Sequence, residues 1–341
     1  MPLVAAADLR AIMRDLLLSV GSRPEDAELI GNSLVDSNLA GHDSHGVLRV
    51  LHYLEMAARG DVIPTAQAEV IREHGATVLI DGHWGWGQPS MWMATKAAAA
   101  KAKQFGLGAA VVTNSYHIGR VAPYVEHLGR QGMVGLAMAN CGRAVAPFGS
   151  KQRVMGTNPI AWSVPAPGED EPYALDIATA FIAEGKVRVA RAREVEVPEG
   201  AILDSSGYPS VNPNDFYDGG ALLAFGAHKG SGFSILAQLL GVGLAGATPD
   251  LLSHHHGGNG PVVIAMDISA FVDPAVFADR VATQAEEIRT AQPAVGFETV
   301  QMPGDPEHIN RITREREGIP VPDSTWAEIQ RQHALCQTSA T

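Results

Sequence analysis

Apolar residues at Leu9, Ile12, Met13, Leu16, Leu17 and Val20 recur at the three-and-four spacing of one helix face, and Gly21 then supplies a natural stop. A second helix is predicted from Pro24, whose fixed φ suits a first turn that also carries Glu25 and Asp26. Its apolar positions run through Ile30 and Leu34 until Gly41 ends it. A third begins near Ser44. From about residue 70 the pattern shortens into β-prone runs, Thr77 to Ile80, Ala109 to Thr113, Val134 to Met138 and Val262 to Met266, with helical segments between several of them. Past Pro274 it turns helical again: Asp305 and Pro306 open one helix, and Thr325 with Glu328 form a capping box for the last. The expectation is an α+β protein in which both termini, residues 1–70 and 270–341, build a helical domain around an α+β domain of residues 71–269. Periodicity alone also allows a doubly wound sheet.

Composition narrows the functions. Of 341 residues 46% are hydrophobic and 18% charged, ample for a large core. The net charge of −12, from 25 Lys and Arg against 37 Asp and Glu, repels phosphate polymers and anionic membranes, so no nucleic-acid or membrane partner is expected. Two cysteines, Cys141 and Cys336, form no CxxC pair and point to neither a disulfide framework nor a zinc knuckle; a reducing cytoplasm fits. Asp8, Arg10, Arg14 and Asp15 interrupt the apolar start, unlike a secretory signal. Gly230 to Pro249 is uncharged and about long enough to cross a bilayer, but Ser231, Ser234, Gln238 and its glycines read as a buried helix.

The stretch Gly41-His-Asp-Ser-His-Gly-Val-Leu-Arg49 carries the chemistry. Ser44 is placed to cap the following helix, with His45 in its first turn, and His45, Arg49 and Tyr53 are four apart, so they share one face. An imidazole near neutrality can protonate a developing alkoxide, and a guanidinium grips a carboxylate through two parallel hydrogen bonds. Together they suit a 2-oxo acid. The alternatives are a capped surface helix with incidental polar residues, or His42, Asp43 and His45 as metal ligands.

Two glycine motifs compete for a nucleotide. Gly241-Val-Gly-Leu-Ala-Gly246 matches the dinucleotide fingerprint, with Asp267 about 20 residues on, but a helical run precedes it where a strand is needed. Gly226-Ala-His-Lys-Gly-Ser-Gly232 places Lys229 at a helix start, where backbone amides and an ammonium would hold a phosphate; Pro303-Gly-Asp-Pro306 is a similar start for a pyrophosphate. His254 to His256 sit in a glycine-rich stretch, Ser253 to Gly260, that reads as a mobile loop, not a metal site.

Taken in order, these segments resemble the type 2 malate/L-lactate dehydrogenase family, with its ureidoglycolate, sulfolactate and piperideine-2-carboxylate relatives. The resemblance rests on Asp43-Ser-His-Gly46 with Arg49, His117-Ile-Gly-Arg-Val-Ala-Pro-Tyr124, Pro147-Phe-Gly149 and Gly156-Thr-Asn-Pro-Ile160. Asp176-Ile-Ala-Thr179, Gly226 to Gly232 and Pro303-Gly-Asp-Pro-Glu307 complete it over nearly the whole chain. It implies a non-Rossmann fold with a mainly antiparallel sheet, a homodimer, and hydride exchange between NAD or NADP and a small 2-oxo or 2-hydroxy acid. By the same resemblance Ser44 and His45 belong to the proton-transfer system and His117 is the second candidate acid or base. Arg49 and Thr157 lie at the substrate, and Tyr53, which spacing puts on the same polar stripe as Arg49, is the third candidate substrate contact. His117, Ile118, Gly119, Arg120, Val121, Leu175, Asp176, Ile177, Lys229, Gly304 and Asp305 line the cofactor. The imino-acid reductase branch carries an acidic residue after the Gly185 equivalent to complete a relay with serine and histidine; Lys186 stands there in this chain. Ala180 and Glu184 replace a serine and a basic residue, which leans the cofactor toward NAD. The rivals from other classes are a metal-dependent hydrolase using His42, His45 and His228, and a nucleotide-binding regulator without turnover.

Overall fold

A computed structural model describes residues 1–254 and 258–339. After a short strand β1 (Leu3–Val4), helices α1 (Ala6–Ser19), α2 (Pro24–Leu39) and α3 (Arg49–Arg59) pack around one apolar centre. Leu9, Met13 and Leu16 of the first, Ile30 and Leu34 of the second, and Val50, Tyr53 and Met56 of the third are buried together there. The third helix starts five residues later than its sequence predicts. Asn38 is the reason: its amide donates to Asp43 Oδ1 and its carbonyl accepts the Val47 N–H, drawing Asp43–His45 into a single 3-10 turn. Gly46 must be glycine here, because a Cβ would stand 2.1 Å from Asn38 Oδ1. Ser44 therefore caps nothing, and His45 lies outside the helix that carries Arg49 and Tyr53.

The central layer follows: β2 (Glu69–His74), β3 (Thr77–Asp81), α4 (Gly87–Phe105), β4 (Leu107–Thr113), α5 (Ala122–Arg130), β5 (Met133–Asn140), β6 (Ile160–Val164) and β7 (Tyr173–Ile177). An excursion adds α6 (Glu184–Ala192), β8 (Ile202–Leu203), β9 (Pro209–Ser210), α7 (Pro213–Tyr217) and β10 (Ala221–Leu222), three of whose strands form a small separate sheet. The chain returns through α8 (His228–Ala245) and α9 (Pro249–His254) to β11 (Gly260–Asp267). The seven-stranded sheet runs β2-β3-β4-β11-β5-β6-β7, and every pairing is antiparallel except β3 with β4. That one parallel pair is joined by α4, as a parallel connection requires. Its alanines Ala94, Ala98 and Ala102 lie close against the sheet, and Gly108 leaves room for Ala98, whose carbonyl would be 2.0 Å from a Cβ. The sheet is the mainly antiparallel one the family resemblance implies, not a doubly wound one.

The chain ends with α10 (Pro274–Arg289), α11 (Asp305–Glu317), β12 (Ile319–Pro320) and α12 (Asp323–Ser339). β12 pairs with β1, and Ile329 of α12 enters the core of the first three helices. α10 packs elsewhere, its Ala285 clustering with Tyr173 and Met302. The last helix opens at Asp323, so Thr325 sits inside its first turn and makes no capping box. The uncharged run near 230–249 is helical, but not wholly buried: Phe233, Ile235, Leu236, Leu239 and Leu244 of α8 are exposed, because only one side of that helix meets β5 and β11. No helix among the described residues is long and apolar enough to cross a membrane. The fingerprint-like glycines lie at the end of α8, where Gly246 is its left-handed cap. The His254–His256 stretch falls largely outside the described residues.

Candidate functional site

Two histidines from distant parts of the chain meet beside α3. The rings of His45 and His117 stack with centroids 5.8 Å apart and planes 18° apart. His45 comes from the 3-10 turn, where Ser44 Oγ lies 3.0 Å from its Nδ1. The turn is braced from behind: Arg314 of α11 holds both carboxylate oxygens of Asp43, and His42 bonds Glu307 at 3.1 Å. These partners engage two of the residues that the sequence offered as metal ligands, and no cluster of three or more His, Cys, Asp or Glu among the described residues could hold an ion.

Arg49, at the first position of α3, donates from Nε to the Ser44 carbonyl at 2.8 Å, which leaves both Nη groups for a ligand. Tyr53, one turn on, does not continue an open polar stripe. It is buried, and its hydroxyl lies 2.8 Å from His117 Nδ1 and accepts from Gln88 Nε2 at 2.9 Å. Burial, reinforced by the Arg49 charge and by His42 and Arg120, pushes the His45 pKa down to about 3, and His117 is held well below its ordinary value by burial, Arg49, His45 and His52. Both imidazoles are therefore neutral near pH 7.

His117 opens a turn that continues to Val121 and is pinned at several points. Ile118 N–H donates to Asn259 Oδ1, its carbonyl accepts from Tyr124, and Gly119 takes φ +75° to close the bend. Asp176 of β7 accepts from the amides of Val121 and Ala122, both at 2.7 Å, and so caps α5. Arg120 is 4% exposed, yet its Nε and Nη1 have no hydrogen-bond partner among the described residues, and Glu126 is 3.6 Å from Nη2. A guanidinium so enclosed and so poorly paired is costly unless an anion completes it.

β7 ties the other candidate segments to this turn. Ala174 N–H donates to the Pro303 carbonyl, which sets Gly304, at φ +106°, beside the strand at the start of α11. Gly304 and Asp305 border a 270 Å³ pocket with Gly168 to Tyr173 and His308. Asp305 itself is engaged by Arg289 and by the Met302 amide. Just past Leu175, Asp176 and Ile177, Thr179 bonds the carbonyls of Thr157 and Asn158 and accepts from Phe225, whose carbonyl caps the turn leading to an exposed Lys229 at the start of α8. Thr157 also hydrogen-bonds Cys141, a thiol that feels the Arg49 charge and whose pKa burial raises. Gly185, at the start of α6, approaches Ser44 to 3.5 Å, measured from the place its Cβ would take; Glu184 beside it is bound by Arg188 and Tyr217, and Lys186 is exposed.

Several residues that shape this region carry no signal in the sequence. Gln88 and Asn259 are single polar residues in unremarkable runs, and only the fold reveals that one reaches Tyr53 while the other bridges Ile118, the Asn140 carbonyl and the Cys141 thiol. Trp86 is buried, and its indole N–H donates to Ser22 Oγ.

Residues 4–330 match the family model described as malate/L-lactate dehydrogenase. The malate dehydrogenase of Pyrococcus horikoshii is 33% identical over 317 residues, which cover 90% of this chain and 88% of that one. A Delta(1)-pyrroline-2-carboxylate/Delta(1)-piperideine-2-carboxylate reductase from Pseudomonas syringae pv. tomato is 32% identical over 331 residues, 96% of this chain and 95% of the relative. The sulfolactate dehydrogenase of Methanocaldococcus jannaschii superposes with a TM-score of 0.91 at 30% identity, covering 98% of both chains. With the model matched almost end to end, this chain belongs to the malate/L-lactate dehydrogenase family.

Proposed function

We propose that this protein is an NAD(P)-dependent dehydrogenase that moves a hydride reversibly between the cofactor and C2 of a small 2-oxo or 2-hydroxy acid. The observation that carries the reading is the meeting of an Arg49 fork with two stacked, neutral imidazoles, His45 and His117, beside a pinned turn that buries the Arg120 guanidinium with its Nε and Nη1 unpartnered among the described residues. Arg49 grips the substrate carboxylate with its two free Nη groups, and Thr157 bounds the same pocket. His117 faces the substrate oxygen as the proton donor in reduction, and Ser44 with His45 completes the polar wall.

The residues fit a dinucleotide. Arg120 has two buried N–H groups that a phosphate oxygen would satisfy, the start of α11 at Gly304 and Asp305 and the start of α8 at Lys229 offer helix N-termini for its anions, and Leu175 to Ile177 with Ile118 to Val121 supply the intervening walls. When bound, the cofactor supplies or accepts the hydride. The chain contributes orientation, charge and the proton. NAD is favoured over NADP, because Glu184 stands where a basic partner for a 2′-phosphate would be expected. In this reading the helical domain of residues 1–70 and 270–341, with α10 packed outside its core, presents Ser44, His45 and Arg49 to the cofactor domain of residues 71–269. The apolar face of α8 supports a homodimer, and two free cysteines suit a cytoplasmic setting.

A second reading, reduction of a cyclic imino acid, draws on the Ser44 to His45 contact and on the reductase relative. Lys186 in place of an acidic residue weighs against it. Oxidation of NADH and NADPH with pyruvate, oxaloacetate and piperideine-2-carboxylate separates the two: the proposal expects turnover with an oxo acid, and turnover of the imine alone would replace it with the second reading.

A further inference from the structure

We propose that Gln88 and Tyr53 form a buried positioning pair that keeps the His117 proton on Nε2, and that the Tyr53 hydroxyl replaces that proton once His117 has given it to the substrate. The proposal rests on the dehydrogenase reading for its second half only.

The argument is a count of protons. Tyr53 and Gln88 are completely buried, so water does not complete their hydrogen bonds. Gln88 Nε2–H donates to the Tyr53 oxygen at 2.9 Å, while the buried Gln88 Oε1 has no partner among the described residues. The single hydroxyl proton then has His117 Nδ1, at 2.8 Å, as its acceptor. Nδ1 must offer its lone pair, which puts the proton of the neutral ring on Nε2. The contact at Nδ1 is the ring's one hydrogen bond among the described residues, and the ring is half-buried, so Nε2–H is the end left for a ligand. An imidazolium would turn two protons toward each other between Nδ1 and the phenol, and one would lack an acceptor. The pair therefore also keeps the ring uncharged.

In the reductive direction C2 would receive the hydride that a bound nicotinamide supplies, and the carbonyl oxygen, left as an alkoxide, takes the proton from His117 Nε2. Nδ1 takes the hydroxyl proton from Tyr53, the ring remains neutral, and the negative charge passes to the phenolate, where Gln88 Nε2–H is already aimed. Water returns the proton through Nε2 after the product leaves. Burial raises the Tyr53 pKa to about 12, but a phenolate is still a weaker base than an alkoxide, so the transfer runs downhill.

Two-bond 1H–15N correlations on uniformly 15N-labelled, ligand-free protein test the first half without turnover, with the His117 signals assigned by their loss in His117→Asn. The expected result is the Nε2–H tautomer between about pH 6 and 8. In Tyr53→Phe the Nδ1–H form should appear, kcat should fall about 10²-fold with the KM for the oxo acid nearly unchanged, and the solvent-isotope proton inventory should change from two protons to one. Gln88→Leu, which keeps the volume, should lower kcat about tenfold in the same sense. An Nδ1–H ring in the unaltered protein overturns the proposal whatever the enzyme reduces, as does an unchanged tautomer and kcat in folded Tyr53→Phe. If the tautomer is as stated but His117→Asn turns over normally, the assignment of His117 as proton donor fails while the positioning pair stands.

Discussion

Gly87 lies so close beneath His117 that a Cβ built on it would stand 2.4 Å from the His117 carbonyl oxygen. The start of α4 is thereby pressed against the turn that carries the imidazole, with Gln88 as its next residue. Gly87→Ala should force the His117 peptide upward, lowering stability by ~1–3 kcal/mol as overpacking does and lowering kcat further than the stability change explains. Calorimetry and steady-state kinetics on the same preparation check this. A variant that melts lower but keeps its kcat would show that the turn tolerates displacement.

Arg49 has one nitrogen committed to the Ser44 carbonyl and two left free. A lysine can satisfy neither demand together, because its point charge cannot brace the 3-10 turn and also present parallel donors. Arg49→Lys should raise the KM for the accepted oxo acid by about tenfold or more, close to 1.4 kcal/mol, while the KM for the cofactor changes little. Unaltered kinetics on every accepted oxo acid would remove Arg49 from the substrate site.

The Asp176 carboxylate serves two adjacent amides at the beginning of α5. Its loss in Asp176→Ala exposes that helix start and should cost ~1 kcal/mol, read as a lower denaturation midpoint. Because the same amides end the turn from His117 to Val121, the KM for the cofactor should rise more than that for the oxo acid. Asp176→Asn retains an acceptor and should recover most of the stability. Equal loss in both variants would locate the effect in the carboxylate charge and not in the cap.

The low pKa values of His45 and His117 give the fold a defined acid weakness. In the unfolded chain both rings protonate near pH 6.5, whereas in the fold they stay neutral to much lower pH, His45 to about 3. The unfolded state binds more protons across that window, so stability rises with pH through it and is fully present above about pH 7. As pH falls below 6.5 the loss approaches at most ~1.4 kcal/mol per unit for each ring, less where water reaches it. Urea midpoints should be lower at pH 5 than at pH 7, and His45→Asn should narrow that gap. An unchanged gap would mean that the His45 ring is protonated in the fold.

Much of this was legible in the residues, and what was not has a consistent cause. Periodic apolar stripes placed α1 and α2, and the β-branched runs located β3, β4, β5 and β11, because local spacing alone decides such elements. The start of α3 escaped because Asn38, on another helix, outbid Ser44 for the Val47 amide. Tyr53 read as part of a polar stripe, since spacing reports which residues share a face but not which side of it the core covers. Gln88 and Asn259 were invisible: each acts by reaching a segment about 30 or more residues away, and a single buried amide leaves no pattern.

The uncharged stretch of α8 that follows Lys229 is where sequence and fold diverge in a way that bears on assembly. Phe233, Ile235, Leu236 and Leu239 remain exposed on it, Leu239 by 63%, a run of apolar surface that a lone soluble chain rarely leaves to water. A second copy laid against the same helix would cover it with a self-complementary contact, as two-fold dimers do. Leu239→Glu places a charge in the middle of that surface, where it would have to be buried without a partner. Sedimentation equilibrium should find the unaltered protein at twice the chain mass and the variant at the chain mass, with circular dichroism unchanged. If the unaltered protein sediments as a single chain at micromolar concentration, the exposed face of α8 is not a dimer contact and the homodimer must be given up.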